Sequence, residues 1–168
     1  RTGIPYAPMV EVLRGALGAP GVAATAPEWL TEAARLLPEL RARFPGLAEA
    51  SAPADPSDAW RLNEGVAQLL ASAAAERPLV VSIDDLHWFD EDSCTLLRFL
   101  VRRLEQAPVL WLGNLTLGEA ERDAPAAIVG LAHLPLSRGG PLRLEAMRHA
   151  QGGQRLHRIG WMDVGIFG

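Results

Sequence analysis

The sequence predicts an α/β domain, a parallel sheet flanked by helices and preceded by an N-terminal helical segment. Two observations carry this. LVVSI at residues 79–83 and VLWL at residues 109–112 are short, mostly apolar runs without alternation, the pattern of parallel strands covered on both faces. Between them lies a helix with its own start and stop signals, so the three elements read as a βαβ unit with parallel strands and a right-handed crossover.

The elements follow in order. Residues 6–17 form a short amphipathic helix with Met9, Val10, Leu13 and Leu17 on one face. GAPGVAA breaks it. Thr25 and Glu28 have capping-box spacing, with Thr25 as N-cap of a helix carrying Trp29, Leu30, Ala33, Leu36 and Leu37. Pro38 kinks that helix or starts a second short one to Phe44. Residues 45–57, rich in Pro and small side chains, are expected to be loop. Residues 58–76 are helical, with Leu62, Val66, Leu69, Leu70 and Ala73 at the 3.6 period, and Pro78 closes the helix. After the first strand, Asp90 caps a helix whose first turn is acidic and whose last turn carries Arg102 and Arg103, both favourable to the helix dipole. Cys94, Leu97, Val101 and Leu104 give its buried stripe, and Pro108 stops it. Residues 124–132 suit a shorter helix and residues 133–137 a third strand. Beyond RGGP the pattern decays; residues 139–168 are expected to be an irregular tail, and residues 152–168 to be poorly ordered.

Composition narrows the function. With 168 residues and 49% hydrophobic residues the chain can bury a core. The net charge of −4 argues against a nucleic-acid surface spread over the chain. The 16 basic residues are all Arg; there is no Lys. A single cysteine, Cys94, rules out a disulfide within the chain and makes a reducing, cytoplasmic setting the default expectation. No apolar run reaches the roughly 18 residues that span a bilayer, so no membrane partner is expected. No base stands where it would activate Cys94, which reads as a helix-core residue.

The chemistry is expected where the first strand ends, at Asp84-Asp85-Leu86-His87-Trp88. Open parallel sheets bind ligands outside the carboxyl ends of their strands. Adjacent residues of a strand point to opposite sides, so one carboxylate can face a metal and the other a substrate. A bare buried carboxylate is costly, and a cation is its natural partner. Mg²⁺ takes few carboxylates, several waters and phosphate oxygens, which is the logic of a Walker B element. Asp84 then holds Mg²⁺, mostly through water, and Asp85 orients or deprotonates the attacking water. Asn114, at the end of the neighbouring strand, is placed to sense a γ-phosphate. The competing reading of the pair is a strand exit with Asp-type turn chemistry. Trp88 is expected to pack beneath the strand exit. His87 either interacts with the acid pair or fixes the turn by a hydrogen bond.

The longer string LVVSIDDLHWFDEDSCTLLRFLVRRLEQAPVLWLG resembles the Walker B region of STAND-type AAA ATPases, found in large bacterial LuxR-type transcriptional regulators and related proteins. PYAPMVEVLRGAL, WLTEAARLLPELRARFP and PLSR resemble neighbouring segments of that family. The resemblance implies a partial P-loop NTPase (AAA-like) fold over residues 1–138, with a helical segment at 4–77 and the Walker B region at 78–116. It implies ATP and Mg²⁺ as ligands, Asp84 as the metal-site acid and Asp85 as the catalytic acid. The implied partners are the other domains of a parent protein, with DNA reached only through a domain outside this chain.

The resemblance also has gaps. The phosphate loop G-x-x-x-x-G-K-[ST] is not present, and without Lys it has no place in this chain. The family pattern puts it upstream of Arg1. Asn114-Leu115-Thr116 stands where relatives have Thr-x-Arg, and Asn63 and Gly65 put a polar and a helix-weakening residue into the helix before Walker B. Two functions stay open: part of an ATP-hydrolysing switch, or a nucleotide-free protein-interaction module.

Overall fold

The two apolar runs are strands, β1 (Leu79–Ile83) and β2 (Val109–Gly113), paired in parallel with Leu79 opposite Val109 and Ile83 opposite Gly113. The computed structural model describes residues 4–49, 57–84, 86–113, 142–144 and 160–161. Leu79, Val81 and Ile83 of β1 and Val109 and Trp111 of β2 are buried, and the other strand positions are half-buried.

Among the described residues there are five helices: α1 (Ala7–Ala16), α2 (Pro27–Ala33), α3 (Glu39–Arg43), α4 (Ser57–Glu76) and α5 (Glu91–Arg103). α4 packs on α2, on a 3-10 turn at Pro20–Ala24 and on α5, while α1 lies against α5 and β1. A single apolar cluster runs from Met9 and Leu13 of α1 through Val66, Leu69 and Leu70 of α4 to Val81, Leu96, Leu100 and Val109. The helical segment and the βαβ unit therefore share one core. The sequence expectation of an α/β arrangement with an N-terminal helical segment holds.

Several local expectations change. α2 starts one residue later than the capping box requires. Its N-cap is Ala26 and receives no side-chain bond, and the Thr25 hydroxyl is buried with no hydrogen-bond partner among the described residues. Pro27 explains the shift, because proline lacks an N–H and favours the first helical position, which puts Thr25 outside the capping position. The buried face of α5 is wider than expected. Leu96 and Leu100 are fully buried and Val101 only partly, because α5 is covered by α1 and α4. Trp88 is 59% exposed; Leu86 and Phe89 fill the space beneath the strand exit.

Two further strands come from the stretch expected to be irregular. β3 (Leu142–Leu144) pairs with β2 in parallel, and β4 (Gly160–Trp161) pairs with β1 antiparallel, giving the order β3-β2-β1-β4. The expected helix at 124–132, the expected strand at 133–137 and the rest of the tail lie outside the described residues.

Candidate functional site

The site is built where β1 stops. The parallel register sets Ile83 beside Gly113, so both strands deliver their carboxyl ends to the same edge of the sheet. Asp84 is the first residue past β1 and is half-buried. The chain then makes a 3-10 turn over Leu86–Trp88, closed by the Phe89 amide donating to the Leu86 carbonyl at 3.1 Å. Leu86 and Phe89 anchor this turn in the core.

Asp90 ends the turn and starts α5. Its Oδ1 accepts the Ser93 amide at 2.8 Å, and its Oδ2 accepts the Ser93 hydroxyl at 2.7 Å, the geometry of a side-chain N-cap. The Tyr6 amide also donates to Oδ1, at 3.3 Å. Burial works against the charge on Asp90, but the hydrogen bonds from Ser93 and Tyr6 outweigh it and hold the carboxyl below its usual range.

Cys94, one turn into α5, is fully buried. Burial, with the charges of Asp90 and Glu91, pushes its thiol up to about 11. So little thiolate forms near neutrality that Cys94 is a core residue and not a nucleophile.

Of the three residues expected to act on nucleotide, the structure describes Asp84, at the strand-end edge where ligands of open sheets bind. Asp85 and Asn114 lie outside the described residues, as does the side chain of His87. Among the described residues no three His, Cys, Asp or Glu side chains gather into a metal-binding group. Magnesium keeps much of its water and uses one or two carboxylates with phosphate oxygens, so a single strand-end carboxylate such as that of Asp84 is the kind of ligand it takes.

Sequence comparison bears on the same edge. The model of the AAA ATPase domain family matches residues 1–112, two thirds of the chain, including both Asp84 and Asp85. The chain belongs to the AAA ATPase domain family. No curated protein and no solved structure matches it. Nucleotide and Mg²⁺ use are general to such domains, and the α/β arrangement fits a partial P-loop NTPase fold. No helix among the described residues of this AAA ATPase domain is long and apolar enough to cross a membrane.

Sequence reasoning identified Asp90 as a helix cap from its place before an acidic turn. It missed the bond from Tyr6, which is 84 residues away and carries no local signal.

Proposed function

We propose that this AAA ATPase domain belongs to an ATP-driven switch of the STAND type, as in LuxR-type transcriptional regulators, and that Asp84-Asp85 is its Walker B pair. The observation that carries this reading is the position of Asp84, just past a buried parallel strand whose end is level with its neighbour's, within the region that matches the family.

Each residue then has a distinct task. Asp84 would hold Mg²⁺, mostly through water, and the bound ion would supply charge compensation for phosphate oxygens. Asp85 orients the attacking water or takes its proton. Asn114 donates to the γ-phosphate from the adjacent strand end. The chain has no Lys and no G-x-x-x-x-G-K-[ST], so its own residues do not form the phosphate cradle; a phosphate loop elsewhere in the parent protein supplies it. The other domains of that parent are the partners, DNA is contacted only through one of them, and the setting is cytoplasmic. The same missing loop favours the second reading, a nucleotide-free interaction module.

The two readings separate in the parent protein carrying a phosphate loop. Asp85→Asn is expected to leave Mg-ATP affinity nearly intact and to slow single-turnover hydrolysis by roughly 10²–10⁴-fold, because a residue acting on the attacking water works mainly in the transition state. Asp84→Asn is expected to weaken Mg²⁺-dependent binding itself. Equal effects of both changes on both quantities would favour a turn-forming role for the pair. A wild-type parent that binds no nucleotide would establish the interaction module.

A further inference from the structure

We propose that Asp90 is a positioning residue, a clamp that fastens the acid-bearing turn at the end of β1 to the starts of both α5 and α1. The acids sit on a short stretch of chain held at two ends. One end is Ile83, fixed in the sheet opposite Gly113. The other is Asp90, whose two carboxylate oxygens take three hydrogen bonds. Two of these come from Ser93 and make an ordinary helix cap. The third comes from the backbone of Tyr6 and has no place in capping α5.

Tyr6 is itself unusual. With φ 63° it is the one non-glycine residue in the left-handed region among the described residues, and it is the N-cap of α1. That conformation accompanies the Tyr6 amide's bond to Asp90, while its carbonyl accepts the Val10 amide at 2.9 Å. A residue in a rarely populated conformation persists where its surroundings hold it. The entry to α1 and the exit from the acid turn are thus joined at one carboxylate. A shift of α1 is transmitted to the far anchor of the 84–90 stretch.

For catalysis the clamp rests on the Walker B reading, so the test has two arms. In the 168-residue chain, amide hydrogen exchange is followed at Tyr6, Phe89 and Ser93. Asp90→Ser keeps a good helix cap, but its oxygen sits one bond nearer the backbone than Oδ1 and does not reach the Tyr6 amide as well as the Ser93 amide. It is expected to leave Ser93 close to wild type and to speed exchange at Phe89 and Tyr6 by about tenfold. Asp90→Asn keeps Oδ1 and is expected to restore most of the protection. Wild-type protection at Phe89 and Tyr6 in Asp90→Ser would overturn the clamp and leave Asp90 as a cap alone. In the parent with a phosphate loop, Asp90→Ser is expected to lower kcat roughly tenfold with KM for ATP within about twofold, as displacement of a positioned group does. Asp90→Asn should recover the rate. An unchanged kcat in Asp90→Ser would overturn the catalytic role of the clamp. If exchange changes as expected while Asp85→Asn hydrolyses ATP at the wild-type rate, the clamp stands and the Walker B reading falls.

Discussion

Gly65 sits where α4 meets α2 with no room for a side chain. A Cβ there would lie 2.8 Å from Glu32 Cβ, 3.0 Å from the Trp29 carbonyl oxygen and 3.1 Å from the Ala33 amide nitrogen. Two of those neighbours are backbone, and the Glu32 side chain is held by Arg35 at 3.2 Å and Arg61 at 3.0 Å. Gly65→Ala gains about 1 kcal/mol of helix propensity. The overpacking costs about 1–3 kcal/mol, and the rigid neighbours put it at the upper end. A net loss of about 1–2 kcal/mol in urea unfolding is expected. Gly18→Ala, where nothing lies within 4 Å, is expected to stay within about 0.5 kcal/mol of wild type. From sequence Gly65 reads only as a weak point in a helix. Its reason belongs to α2, more than thirty positions earlier in the chain, which no local pattern can show.

At the scale of elements, α4 and α5 are joined by a charged pair set into an apolar contact. Arg103 donates to Glu64 through Nε at 3.0 Å and Nη2 at 2.8 Å, a two-pronged match of guanidinium to carboxylate. Gln68 adds a third bond to Glu64 at 2.7 Å. The Glu64 side chain is 8% exposed and that of Arg103 48% exposed, so the carboxylate is the member that suffers if the pair is broken. Arg103→Ala is expected to cost about 1–2 kcal/mol, mainly by stranding the Glu64 charge. Burial raises the Glu64 carboxyl, but the bonds from Arg103 and Gln68 prevail and hold it below its ordinary 4.5. A depressed folded value means the unfolded chain binds the proton more readily. The pair's stabilisation is therefore fully present above about pH 4.5 and is lost as pH falls through the folded value. Thermal melts of wild type should fall more steeply than those of Glu64→Gln between neutral pH and that range. Parallel curves would show that the pair contributes nothing. The sequence places Arg103 in the last turn of α5, where its charge suits the helix dipole; its pairing with Glu64 depends on how two helices dock.

For the whole molecule, the core is continuous, while the sequence carries neither a Lys nor a G-x-x-x-x-G-K-[ST] string. Met9 to Val109 form one apolar cluster, so the chain has the packing of a folded domain. It offers Asp84 at a sheet edge and no Lys for phosphates. Calorimetry of the 168-residue chain with Mg-ATP is expected to give weak binding or none. A dissociation constant in the low micromolar range would show that other residues supply the phosphate contacts. What the sequence by itself determined is of short range. Apolar runs without alternation mark β1 and β2, the 3.6 period marks α1, α4 and α5, and an aspartate before an acidic turn marks the cap at Asp90. The adjacent acids after β1 mark the candidate site. These signals survive in one dimension because hydrogen-bonding period and capping act over a few residues. Tertiary structure alone decided the contacts between distant segments. It put Phe89 rather than Trp88 in the core, set Glu64 against Arg103 and tied Tyr6 to Asp90. It also paired Leu142–Leu144 with β2 and Gly160–Trp161 with β1. Side chains and strand edges are chosen there by what space and which acceptors remain once the core has closed, and that depends on the whole chain at once.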